Sequence, residues 1–209
     1  MNQQAPPMSQ KFEFWDQRYS TQSYLYGLEP NDFLRAQAGR IKQNGCVLCL
    51  AEGEGRNAAF LAGLGHHVTA VDGSKVGLRK LELLTQERGL TVQTVCADLA
   101  DFEIGSEQWD AIVSIWCHLP HALRAEVHRK CVAALKPGGC LILEAYTPKQ
   151  LEYRTGGPQT GELMMTLAEL REELSGLTLE LAHEIERIVE EGTGHSGRSA
   201  VVQLVAYKP

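Results

Sequence analysis

The chain has 209 residues and a formal net charge of −6, with 44% hydrophobic residues, enough for one domain with a sizeable core. No basic stripe stands out, which disfavours binding to a nucleic-acid phosphate backbone. No apolar run reaches the roughly 18 residues a membrane span takes, and the polar start of the chain lacks a signal-peptide core, so a cytoplasmic location is expected.

In chain order, residues 1–9 are expected as a flexible N-terminal tail and residues 10–44 as a helical N-terminal lid segment. Residues 45–209 then form the main domain. The lid segment concentrates aromatics (Phe14, Trp15, Tyr19, Tyr24, Tyr26) beside Arg18, and Pro30-Asn31-Asp32 reads as a helix start. An apolar run, Cys46-Val47-Leu48-Cys49-Leu50-Ala51, predicts a buried strand. Gly53-Glu54-Gly55-Arg56-Asn57 follows and opens an apolar helix over residues 57–64. Residues 67–71 predict a second strand with Asp72 at its end. Glycines permit a tight turn, the helix start offers free N–H groups, and an acid ending the second strand suits a ribose diol. Together these predict a nucleoside-binding β-α-β unit.

Ser74 predicts a cap for a helix over residues 74–88, with Gly89 as its stop. A third strand over residues 91–97 ends at Asp98, where an acid can meet an adenine amino group. A fourth spans residues 109–115, and a helix over 120–135 has Pro120 suited to its first turn. Leu135-Lys136-Pro137-Gly138-Gly139 reads as a helix-ending turn into a fifth strand, residues 140–144. Residues 147–165 read as a long irregular excursion and 166–174 as a short helix. Two closing strands, 177–190 and 199–208, form an antiparallel hairpin whose Gly192–Gly197 link is a turn. The alternation predicts an α/β fold: a doubly wound, seven-stranded, mostly parallel sheet ending in an antiparallel strand hairpin.

Of the six cysteines, Cys46, Cys49, Cys96 and Cys140 fall in apolar strand runs and Cys131 in an amphipathic helix, and they read as buried reduced thiols. Cys46 and Cys49 lie three apart on a strand and point to opposite faces, which disfavours a metal or redox pair. His118 and His121 have no further ligands close in sequence, so no metal site is expected.

The glycine turn, the strand-end acids and the Leu135–Gly139 turn together resemble the class I S-adenosylmethionine-dependent methyltransferases. Phe14-Trp15-Asp16-Gln17-Arg18-Tyr19 and Tyr26-Gly27-Leu28-Glu29-Pro30-Asn31, with Gly55-Arg56-Asn57, look like the narrower tellurite-resistance and thiopurine-type group. That group usually has an acid ending strand one and a glycine two residues later, where this chain has Cys49 and Ala51. Glu52 is the candidate replacement, engaging the cofactor's ammonium. The resemblance implies that Trp15, Arg18 and Tyr19 close over the methionine half of S-adenosylmethionine. The cofactor set it implies continues with Ala51, Glu52, Gly53, Gly55, Asn57, Asp72, Gly73, Ser74, Asp98, Leu99, Trp116 and Cys117.

The expected function is methyl transfer to a small-molecule acceptor, a thiol or a chalcogen oxyanion. A non-catalytic S-adenosylmethionine-binding protein or partner subunit is the alternative. No catalytic residue is obligatory. His118 is the candidate proton acceptor, and His118, Tyr146 and Arg154 are expected to line the acceptor pocket.

Overall fold

The computed structural model describes residues 12–209, so the expected tail, residues 1–9, and the first two residues of the lid segment lie outside the described residues. Two short helices, α1 (Glu13–Tyr19) and α2 (Asp32–Gln37), precede the sheet. Then follow β1 (Cys46–Leu50), α3 (Arg56–Gly63), β2 (His67–Asp72), α4 (Lys75–Glu87), β3 (Val92–Cys96) and β4 (Trp109–Ile115). The chain closes with α5 (His121–Ala134), β5 (Leu135–Tyr146), α6 (Leu167–Glu173), β6 (Thr178–Glu191) and β7 (His195–Tyr207).

The seven strands lie in the order β3-β2-β1-β4-β5-β7-β6. β7 runs antiparallel to both of its neighbours, while β1 to β5 are parallel. This is the α/β architecture that the alternation of elements predicts. The strand order reverses between β1 and β4, so the crevice at their carboxyl ends is where such a sheet binds ligands.

The central strands are buried on both faces, and their period-2 alternation sorts side chains between two cores. Leu48, Leu50, Ile112, Leu141 and Leu143 meet Val127, Cys131 and Leu170 from α5 and α6. Val47, Cys49, Ala111, Val113 and Ile142 meet Phe33, Leu34, Leu61, Leu78 and Leu81 from α2, α3 and α4. Burying each such leucine or isoleucine contributes about 1.5–3 kcal/mol. Cys49, Cys117, Cys131 and Cys140 are buried free thiols in these cores.

Three boundaries differ from expectation. The Leu135–Gly139 stretch belongs to β5, because Leu135 pairs with Trp109 before a register shift carries the ladder on to Ala111 and Cys140. Pro120 stands just before α5 as its N-cap residue. The hairpin turn is shorter than Gly192–Gly197, since β7 already begins at His195. Among the described residues, no helix is long and apolar enough to cross a membrane.

Candidate functional site

A cavity of about 720 Å³ opens at the carboxyl ends of the parallel strands. Its two halves differ in chemistry. Glu52, Asp72 and Asp98 line one half, from the ends of β1, β2 and β3, around an apolar slot that includes Ala97, Leu99 and Ile115. Trp116, His118 and His195 line the other, with Arg18 and Arg154 also on the wall.

Asp72 is buried at the end of β2. Its Oδ2 accepts the Gly53 N–H at 2.8 Å and its Oδ1 the Ser74 N–H at 2.7 Å. A carboxylate has about four acceptor sites, so two remain for a diol. Burial pushes its carboxyl above the ordinary value, against those backbone hydrogen bonds. Asp98, also buried, accepts the Ala100 N–H at 2.9 Å. Glu52 Oε1 accepts the Ala58 N–H at 2.8 Å at the start of α3, and burial pushes its carboxyl up to about 7. An anion at a helix start satisfies orphan N–H groups there.

Ala51, Trp116 and Arg154 all take left-handed backbone angles, with φ of 49°, 57° and 55°, and all three line the cavity. Left-handed backbone costs a non-glycine residue roughly 1–2 kcal/mol, and such strain gathers at ligand sites. The place where the group it resembles in sequence has glycine is thus a left-handed turn that Ala51 makes at a cost. Cys49, at the place of their acid, is sealed in the core with no exposure.

Of the residues named for the cofactor, Trp15, Arg18, Tyr19, Ala51, Glu52, Asn57, Asp72, Gly73, Asp98, Leu99 and Trp116 line the cavity. Gly53, Gly55, Ser74 and Cys117 do not, and the reasons are physical. Gly53 turns beneath Tyr19, whose hydroxyl would stand 2.7 Å from an added Cβ. Gly55 has φ 89° and lets Leu81 pack against it, where a Cβ would come within 2.2 Å of a Leu81 methyl. Ser74 caps α4, accepting the Gly77 N–H at 3.0 Å and donating to Asp16 at 2.5 Å. Cys117 points into the core, where burial raises its thiol to about 12.

The second half is built from stacked rings. Tyr146 lies behind Trp116, ring centroids 4.4 Å apart, and stacks on His118 at 5.6 Å. Tyr146 therefore backs the wall, whereas His118 and Arg154 form part of it. His118 cannot be the proton acceptor. Its Nε2 already accepts the Tyr146 N–H at 3.0 Å, and burial pushes it down to about 3. His118 stands in the cavity wall, while His121 is exposed and faces Glu169 and Glu173 at 3.9 and 3.8 Å. Among the described residues no group of three or more His, Cys, Asp or Glu side chains is arranged to hold a metal ion.

The residues missed from sequence come from distant segments. The tip of the β6–β7 hairpin supplies Gly194 and His195, and the far part of the irregular excursion supplies Pro158, Gln159 and Leu163, next to Gly156 and Gly157. Phe12, Phe14, Tyr26, Arg56 and Leu119 complete the wall. The tip reaches the site because Thr193 and Gly194 donate their N–H groups to the Leu25 carbonyl, at 2.9 and 3.1 Å. The Gly192–Gly197 stretch is a turn in part, as its place between two strands suggested, yet it also forms wall.

Arg56 and Asn57 serve a buried polar network. Asn57 Oδ1 accepts the Asn31 N–H at 2.9 Å. Asn31 Nδ2 donates to Glu144 at 2.6 Å and to Glu191 at 2.8 Å. Arg56 and the Trp116 indole N–H each donate to Glu191 Oε2 at 2.6 Å. Burial opposes charge on Glu191, but the His195 imidazole beside it, Arg56 and the Trp116 N–H outweigh it and hold its carboxyl down at about 2.

A doubly wound sheet with a reversed β7 thus bears acids at the ends of β1 to β3 over one cavity, the architecture of class I methyltransferase folds. Residues 47–139 match a methyltransferase domain family. An uncharacterized methyltransferase, YbaJ of Bacillus subtilis (strain 168), is 30% identical over 118 residues, covering 56% of this chain. The alignment spans 46% of that relative, about half its length. A structure from the conversion of a disulfide bond into a thioacetal group during echinomycin biosynthesis superposes with a TM-score of 0.76, at 20% identity, over 95% of this chain and 92% of that one. TehB from Haemophilus influenzae superposes at 0.70 with 20% identity, over 95% of this chain and 67% of that one.

The residues present fit the cofactor. Buried Asp72 and Asp98 and half-buried Glu52 are a set of acceptors that suits an ammonium, a ribose diol and an adenine amino group, beside an apolar slot for the ring.

Proposed function

We propose that this protein transfers a methyl group from S-adenosylmethionine to a small-molecule acceptor in the aromatic half of the cavity, as a member of the tellurite-resistance and thiopurine-type group. One observation carries the reading: a single cavity joins three acids suited to the cofactor with a ring-lined compartment beside Arg154. Bound there, the cofactor supplies an activated methyl group on a sulfonium sulfur. The chain's own task is then orientation and exclusion of water. Asp72 holds the ribose, Asp98 the adenine and Glu52 the ammonium, while Arg18 meets the carboxylate from α1. The acceptor lies against Trp116 and His118, with Arg154 bounding its pocket. A sulfur or chalcogen nucleophile suits a compartment with rings and few acids. A net charge of −6 with no basic stripe in the sequence supports a small molecule rather than nucleic acid, and a cytoplasmic enzyme is the corresponding reading.

Calorimetry tests the cofactor half of this reading. Asp72→Ala should weaken S-adenosylhomocysteine binding by about 1.5–3 kcal/mol, the loss of hydrogen bonds to a charged group. Unchanged affinity in a folded variant would remove Asp72 from the site.

A further inference from the structure

We infer that His195 is the group that takes the proton from the acceptor, and that the acceptor carries a flat ring and a nucleophile that enters still protonated. The inference rests on the methyl-transfer reading above and deepens it. His195 is 5% exposed, and it lines the cavity. Its ring is wedged between three others: Tyr26 at 4.6 Å, Trp116 at 5.1 Å and Tyr146 at 5.2 Å between centroids.

The two ring nitrogens have different surroundings. Nδ1 is sealed from solvent without a hydrogen-bond partner and stands 3.6 Å from Glu191 Oε2. A carboxylate on that side favours the tautomer with the proton on Nδ1, and such contacts commonly tighten when a site fills. Nε2 is then the lone-pair nitrogen. It has no partner among the described residues, and it is not among the sealed atoms. The accessible edge of this ring opens on the cavity. Glu191 is itself fixed by Arg56, Trp116 and Asn31, so it orients the ring without leaving its own place.

The charged and titratable groups facing His195 are Glu191 from β6, Arg56 from α3, Arg18 from α1, and the Tyr26, Tyr146 and His118 side chains. Burial, with the two arginines, outweighs Glu191 and keeps the imidazole below its ordinary value, hence neutral and able to accept at neutral pH. The step balances. The acceptor's S–H or O–H proton passes to Nε2, and the acceptor's lone pair forms the bond to the methyl carbon. The methyl–sulfonium bond breaks with its electron pair remaining on the cofactor's sulfur. The imidazolium afterwards returns the proton to water. The aromatic character of the acceptor follows from the compartment, where the Trp116 and His118 rings lie at an interplanar angle of 16° and can take a flat ring by stacking.

The test compares the wild-type protein with His195→Gln, using phenol as the protonated acceptor and benzenethiol, largely ionised at neutral pH, as the acceptor that needs no base. It adds nitrogen NMR of the wild-type imidazole. The expected results are an Nδ1-protonated neutral tautomer for His195 and, with phenol, a fall in turnover of roughly 100-fold or more in the variant, the usual share of a general base. The fall should be far smaller for benzenethiol. S-adenosylhomocysteine affinity should hold within threefold. With phenol, the acid limb of the wild-type kcat/KM profile should lie below the ordinary histidine range and vanish in the variant. An Nε2-protonated tautomer overturns the proposal, and this readout needs no variant to fold. An equal loss for both acceptors, or a loss under threefold with phenol, also overturns it. A wild-type protein that binds S-adenosylhomocysteine but methylates neither acceptor overturns the acceptor class. Failure to bind S-adenosylhomocysteine at all instead overturns the methyl-transfer reading on which this one rests.

Discussion

Glu52 illustrates how one side chain can couple proton and ligand binding. Burial raises its carboxyl to about 7 from an ordinary 4.5, against the Ala58 hydrogen bond and the Arg56 charge. The folded chain therefore holds this proton more tightly than the unfolded chain. Glu52's contribution to stability is full below about 4.5 and is lost as pH rises through about 7. A bound ammonium acts in the opposite sense, because it favours the carboxylate. S-adenosylhomocysteine affinity should therefore climb as pH rises from 6 to 7.5, with net proton release near pH 7. Calorimetry in buffers of different ionisation enthalpy measures both. Glu52→Gln should flatten the dependence, and a variant that keeps it would show that Glu52 does not meet the ammonium. The acids of this half were legible from sequence, because a strand's end fixes where its last side chain points. The proton acceptor was not. His195 stands by Glu191 only through the register of β6 on β7, in which Glu191 pairs with His195 across the turn. Composition says nothing of that register.

At the scale of elements, the irregular excursion is anchored by charges buried between α5 and α6. Arg124, 1% exposed, donates from Nε and Nη2 to Glu173 at 2.7–3.1 Å and from Nη1 to the Met164 carbonyl at 2.8 Å. His128 meets Glu173 Oε2 at 2.6 Å. Glu173 is held down at about 2, because these partners outweigh its burial. Arg124→Met would strand that carboxylate and free the Met164 end of the excursion. The expected cost is about 3–5 kcal/mol, the range for breaking one side of a buried pair. Urea unfolding measures it, and a loss under 1 kcal/mol would show that the pair does not hold the excursion. The element order was legible because each strand and helix carries its own hydrophobic period. The boundaries that moved lie where tertiary pairing overrides local signals. Leu135 joins β5 because Trp109 pairs with it, despite the Pro137-Gly138-Gly139 turn residues that follow.

Across the whole molecule, the expected lid divides into two parts with different attachments. From Asn31 onward the segment is part of the fold, since Asn31 ties α3, β5 and β6 together through buried bonds. Leu25 is tied to the hairpin tip through its carbonyl and to Glu54 through its N–H, at 2.7 Å. α1 is attached less firmly. It has seven residues, of which only Tyr19 is buried, and its polar anchors on α4 are the Asp16 contacts to Ser74 and Val76. So short a helix is marginal on its own and depends on what it covers. Its Arg18 lies over the Phe14 and Trp15 rings, 5.3 and 5.7 Å from their centroids, and lines the cavity. A ligand in the cavity would add contacts to α1 and few to α2. Amide exchange in residues 13–23 should therefore slow by an order of magnitude or more on adding S-adenosylhomocysteine. Residues 31–37 should be protected with or without it. Removing residues 1–23 should leave a folded domain with faster ligand dissociation, seen in stopped-flow fluorescence. Equal exchange of residues 13–23 in both states would make α1 a fixed wall of the cavity, and the closing motion would then belong to the excursion over residues 154–163.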